Sequence, residues 1–127
     1  VNIKAVVDFF GPTDLTDLYN HPASALIPSD IVALIVGATP SSNPSLYHDS
    51  SPVNYITNLS PPTIIFQGGL DPLVSPHQSE TLDSLLQNAG VAQQYHLYPG
   101  GGHGDWGAAT YSNAFTKLAL FLTAHVN

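Results

Sequence analysis

The chain predicts an α/β fold built on a parallel sheet, and three observations carry that prediction. Apolar runs rich in β-branched and aromatic residues recur at Ile3 to Phe10, Thr63 to Phe66 and Gln93 to Tyr98. A long segment separates the first two runs and one amphipathic stretch the last two, as crossovers between parallel strands require. Two glycine-bordered blocks, Gly68-Gly69-Leu70-Asp71-Pro72 and Gly100-Gly101-Gly102-His103-Gly104, follow the second and third runs.

In chain order, Ile3 to Phe10 reads as a buried strand that Gly11-Pro12-Thr13-Asp14 stops. Residues 14–30 read as loop with a weak helical turn near Leu15 to Leu18. Ser29 or Asp30 can cap a short helix through Val36, which Gly37 can end in the left-handed conformation. Pro40, Pro44, Pro52, Pro61 and Pro62 make residues 38–62 irregular, with one helical turn around Pro44 to Tyr47. Thr63 to Phe66 is the second strand. Ser75 then reads as an N-cap, with Pro76 at the first helical position and Gln78 completing a capping box. Leu82, Leu85, Leu86 and Ala89 form one apolar stripe on this helix, and Gly90 ends it. Gln93 to Tyr98 is the third strand. A last helix runs from about Ala108 to His125 and buries Tyr111, Ala114, Phe115, Leu118, Phe121 and Leu122. There is no internal repeat and no low-complexity linker. Right-handed crossovers bring all strand C-termini to one edge, where open α/β sheets bind ligands; Gly11, Asp71 and His103 lie just past strand ends there.

Composition narrows the function classes. Apolar residues make up 43% of the 127-residue chain, enough for a core of one domain or part of one. Lys4 and Lys117 are the only basic residues against nine acidic ones, a net charge of −7. That balance argues against nucleic acid and against anionic membrane surfaces as partners. No apolar run approaches the roughly 20 residues of a membrane span. Cysteine is absent, which removes disulfides, thiolate metal sites and a thiol nucleophile. The low charged fraction leans toward a secreted or periplasmic protein. A start at Val-Asn-Ile-Lys, in a chain with no methionine, leads to the expectation of a piece of something longer.

His103 is the leading candidate for chemistry. Glycine flanks it on both sides, a setting a packing histidine rarely needs, and an imidazole, ordinarily titrating near pH ~6.5, suits general base work. Asp71 has a plain reading as turn chemistry in Leu-Asp-Pro. Its place one helix and one strand before His103 also suits an acid that accepts from the imidazole N–H and fixes its tautomer. Asp105 is the rival acid; at two residues from His103 it reads better as an acid near the N-terminus of the last helix. His21, His48, His77, His96 and His125 are scattered without metal-binding spacing, so neither a metal nor another cofactor is expected. Asn58-Leu59-Ser60 is a formal glycosylation sequon followed by Pro61. Trp106 and Tyr98 read as packing residues near the mouth of the site. Asp then His is the end of a Ser…Asp…His order, but no G-x-S-x-G elbow occurs; Ser41, Ser51 and Ser75 lack the flanking glycines.

These residues resemble the C-terminal half of an α/β-hydrolase of the carboxylesterase and lipase-like group. Ala5-Val6-Val7-Asp8-Phe9-Phe10-Gly11-Pro12-Thr13-Asp14-Leu15 is similar to the strand and turn after the nucleophile helix. Leu34-Ile35-Val36-Gly37-Ala38-Thr39-Pro40, Asn43-Pro44, Tyr47 and Ser51-Pro52-Val53-Asn54-Tyr55 resemble the cap-proximal segment of small esterases. Gly68 to Val74 resembles the acid loop and Gly102-His103-Gly104 the histidine loop. The resemblance covers nearly the whole chain. It implies the last three strands of a hydrolase sheet, hydrolysis of a small-molecule carboxylic ester, Asp71 and His103 as triad members, and a nucleophile and oxyanion loop in an N-terminal half outside residues 1–127. A prolyl-oligopeptidase-like peptidase half and a non-catalytic interaction module are the alternatives. The first strand is expected to offer an open edge to that N-terminal half or to a second copy of the chain.

Overall fold

The computed structural model describes residues 2–126. Its centre is a parallel sheet in the order β1 (Val6–Phe9), β2 (Thr63–Gly68), β3 (Gln93–Tyr98). Val6 stands opposite Thr63 and Phe9 opposite Phe66, while Thr63 also faces Gln93 and Gly68 faces Tyr98. The central strand is buried throughout, with Ile64, Ile65 and Phe66 fully inaccessible. Each such side chain contributes about 1.5–3 kcal/mol by leaving water.

The alternation of side chains along β2 divides the core into two layers. Ile64 and Phe66 face α5 (Ala108–His125), where they meet Trp106, Ala114 and Phe121. Ile65 faces α4 (Pro76–Asn88) and packs with Leu82, Leu86 and Val91. A third cluster, Leu18, Val32 and Tyr47, holds together the excursion between β1 and β2. That excursion contains α1 (Leu15–Asn20), α2 (Ser29–Val36), α3 (Pro44–Asp49) and a 3₁₀ turn at Pro52–Tyr55. Among the described residues no helix is long and apolar enough to cross a membrane.

The structure corrects several sequence expectations. β1 covers only Val6–Phe9, and Val6 and Val7 are 37% and 39% exposed, with no strand of the described residues on its outer edge. The turn at Leu15 is a full six-residue helix: the Asp14 side chain accepts the N–H of Asp17. Ser29 does not cap α2. Pro28 occupies the cap position, and the Ser29 hydroxyl donates instead to the Tyr19 carbonyl at 2.6 Å. Gly37 does end α2 in the left-handed region, with φ 92°. Ser75 caps α4, but Gln78 makes no capping box. Its Oε1 accepts the backbone N–H groups of Thr13 and Asp14 at 2.9 and 2.8 Å, and its Nε2 donates to Asp17 at 2.7 Å. A polar side chain in the first turn of α4 therefore ties down the chain leaving β1. Phe115, an expected core residue, is 55% exposed, its ring about 6 Å from those of Phe9 and Tyr111.

Candidate functional site

β2 and β3 end side by side, and the loops that follow them build the site. Asp71 lies three residues past the end of β2 with its side chain fully buried. Its Oδ1 accepts the backbone N–H groups of Leu73 and Val74, both at 2.9 Å. Its Oδ2 lies 2.8 Å from Nδ1 of His103 and accepts from Nε2 of Gln67 at 3.1 Å. Four donors thus fix the plane of one carboxylate. Since the carboxylate oxygen is an acceptor, Nδ1 carries the imidazole proton and Nε2 is left as the basic nitrogen. The His103 side chain is 30% exposed.

The glycines around this pair serve close packing more than freedom. Leu70 N–H donates to the Gly101 carbonyl at 2.9 Å and Gly69 N–H to the Tyr98 carbonyl at 2.8 Å, joining the acid loop to the histidine loop. A Cβ on Gly68 would fall on the carbonyl oxygens of Gly101 and Gly102. In the second block only Gly104 uses the left-handed region, with φ 81°. Two aromatic residues brace the same loop. Trp106 Nε1 donates to the Gly102 carbonyl at 2.9 Å, and the Tyr111 hydroxyl donates to the Gly104 carbonyl at 2.7 Å.

Phe10 closes the site from the end of β1. Its φ of 47° is left-handed, uncommon and costly for a bulky residue. Its N–H still donates to the Phe66 carbonyl at 2.8 Å, as in the β1–β2 ladder, and the left-handed backbone then turns the chain out of the sheet. The turn carries its ring to 4.5 Å from the His103 ring and edge-on to Trp106.

The sequence candidates therefore separate. Asp71 and His103 come together; Asp105 does not bond His103. Its carboxylate lies against Gly102; Asp105 itself stands two residues before Gly107, the N-cap of α5, which receives no side-chain capping bond. His21 and His48 pair with Asp17 and Asp49 on the surface, and His77 lies 3.9 Å from Glu80. Ser51 is buried in a bond to the Tyr47 carbonyl, Ser75 caps α4, and Ser41 lies in an exposed turn. Among the described residues no serine bonds His103, and no three metal-ligating side chains cluster. Trp106 is buried as expected and also braces the loop. Gln67, Ser79 and Phe10 were not found from sequence. The one hint was a polar residue between the apolar run of β2 and Gly68-Gly69. Another carboxylate, the half-buried Asp8, faces the α4 side beside β1's open edge. Its Oδ1 accepts from Gly11 N–H at 2.9 Å, Oδ2 has no partner among the described residues, and burial pushes its pKa up.

Comparison with known proteins gives the family and the fold. The BD-FAE family profile matches residues 1–86. Esterase LipC of Mycobacterium tuberculosis is 29% identical over 126 residues, a match spanning 95% of this chain and 30% of the esterase. A truncated carbohydrate esterase from gut microbiota is 29% identical, with a TM-score of 0.76 over 96% of this chain and 44% of its own. A puromycin-hydrolyzing peptidase of Mycobacterium tuberculosis is 25% identical, with a TM-score of 0.81 over 98% of this chain and 19% of its own. The chain thus spans less than half the length of each of these relatives. It has the three parallel strands and flanking helices of the α/β-hydrolase fold, and it belongs to the BD-FAE family.

Proposed function

From that membership we propose that the chain is the C-terminal part of a serine hydrolase of carboxylic esters. Asp71 is the triad acid and His103 the general base, later the general acid. The observation that carries the reading is the 2.8 Å bond between a fully buried carboxylate and Nδ1 of a partly exposed imidazole. In this arrangement Nε2 takes the proton of an attacking serine hydroxyl. Asp71 steadies the imidazolium, and Nε2 returns the proton to the departing alkoxide. The serine and the oxyanion donors belong to polypeptide that pairs with the free edge of β1. Val6 and Val7, each more than one-third exposed, would then be covered. No cofactor takes part.

Ester substrates are favoured by the BD-FAE membership and by the two esterases at 29% identity. A peptidase is the second reading, favoured by the likeness to the puromycin-hydrolyzing peptidase. The test assays the hydrolase containing this chain on p-nitrophenyl acetate and on an aminoacyl p-nitroanilide. Turnover of the ester, abolished by His103→Ala, is expected. Preference for the anilide by kcat/KM would replace the ester reading with the peptidase one. Residues 1–127 alone should neither turn over the ester above a histidine-only background nor react with a fluorophosphonate; labelling of a serine here would contradict the proposed division of the site.

A further inference from the structure

We propose that Gln67, held in place by Ser79, is a positioning residue for the Asp71–His103 pair; the inference rests on the acid and base roles proposed above. Gln67 lies in β2 on the face that packs against α4, two residues after Ile65. An apolar side chain would suit that layer, yet the position holds an amide with no exposed surface. Burying an amide is unfavourable unless every polar atom is bonded, and here each is. Oε1 accepts from the Ser79 hydroxyl at 2.8 Å, and Nε2 lies 3.1 Å from Asp71 Oδ2 and 3.2 Å from the Gly68 and Val74 carbonyls.

This set of partners permits one orientation of the amide. Turning it over would place Oε1 against three acceptors and Nε2 against the Ser79 hydroxyl. Ser79 is itself fully buried on α4, so the packing of α4 on the sheet fixes the amide, and the amide fixes Oδ2. Asp71 Oδ2 receives two donors, one from Gln67 and one from His103, while Oδ1 is held by Leu73 and Val74 N–H. Among the described residues, the titratable groups joined in this network are Asp71 and His103 alone.

The consequence is kinetic. Without the Gln67 donor, Oδ2 loses one of its two fixed directions, and its negative charge falls more fully on the imidazole. Misplacing a catalytic group by about 1 Å can cost on the order of 100-fold in rate. In the hydrolase containing this chain, Gln67→Leu should therefore lower kcat on p-nitrophenyl acetate by about 10- to 100-fold with little change in KM. The acidic limb of the kcat/KM profile should move to higher pH, because a carboxylate with fewer donors holds the imidazolium more tightly.

Gln67→Glu separates donation from packing. As a neutral acid it can donate O–H to Oδ2 and accept from Ser79, so it should retain more activity than Gln67→Leu near neutral pH. It should then lose activity as pH rises and two carboxylates come to face each other. Ser79→Ala should reproduce the Gln67→Leu changes at smaller amplitude. Circular dichroism and thermal unfolding establish which variants fold; if Gln67→Leu does not, Gln67→Glu and Ser79→Ala carry the test. Full activity of His103→Ala would overturn the acid and base reading. Loss in His103→Ala with wild-type kcat and pH profile in the folded Gln67 and Ser79 variants would overturn only the role of Gln67. So would equal losses in Gln67→Leu and Gln67→Glu with an unmoved acidic limb.

Discussion

His21 meets Asp17 at 2.7 Å and His103 meets Asp71 at 2.8 Å, both through Nδ1. In the first pair the side chains are 75% and 22% exposed; in the second they are 30% and 0% exposed. His21 lies just past the end of the short helix α1, one turn after Asp17. Water competes for both partners, and such a pair contributes little. Both carboxylates accept from a buried amide, Gln78 for Asp17 and Gln67 for Asp71. The Asp71 carboxylate is fully buried and also held by the backbone N–H groups of two loop residues, Leu73 and Val74, and the histidine loop is held by an indole and a phenol. The two distances cannot be told apart; the surroundings decide which pair can hold a proton acceptor in one place.

The largest expected difference between the regions is in turnover. His103→Ala should lower kcat/KM of the parent hydrolase by about 10⁴-fold or more, and His21→Ala should leave it unchanged. Steady-state hydrolysis of p-nitrophenyl acetate checks both; similar losses would erase the distinction between the pairs.

A second comparison lies within the glycines. Gly68→Ala places a Cβ on two backbone carbonyls that cannot move aside, so the cost should be about 3 kcal/mol. Gly104→Ala combines a left-handed φ with a contact to Phe10 at 3.1 Å and should cost about 1–2 kcal/mol. Gly100→Ala meets nothing within 4 Å and should be near neutral. Denaturant unfolding of the three variants gives the order, and an equal effect at all three positions would contradict the close packing of the two loops.

The smallest effect concerns the half-buried Asp8. Burial raises the pKa of Asp8, so the folded state binds its proton more tightly than the unfolded state does. Its contribution to stability is greatest below the ordinary carboxylate pKa and is lost as pH rises from there through the raised value. The melting temperature of wild type relative to Asp8→Asn should therefore fall as pH rises through that window. A difference independent of pH would show that Asp8 binds its proton equally in the folded and unfolded states.

Much of this was legible in the sequence, and what was missed has a common cause. β3 and α5 have the bounds that their patterns predict, and Asp71 and His103 meet as their positions after successive strands imply. Those features are encoded locally, by alternation, helical periodicity and glycine punctuation. Gln78 was read as a local cap because its spacing from Ser75 fits one, while its actual partners lie 64 and 65 residues away. Gln67 carries no local signal beyond following an apolar run, because its role depends on a serine on α4 and on loop acceptors. Phe10 carries no local sign of a left-handed backbone. The half-exposure of β1 depends on what pairs with its edge, which hydrophobicity alone does not record.

The most direct measurement sets Asp71→Asn beside Asp17→Asn in the same hydrolase, comparing kcat/KM for p-nitrophenyl acetate. Each change replaces a histidine's carboxylate partner with an amide of nearly equal size. Asp71→Asn should lose about 10⁴-fold, because the amide can stabilise the wrong imidazole tautomer, and Asp17→Asn should match wild type. Near-normal turnover by a folded Asp71→Asn variant would contradict the account.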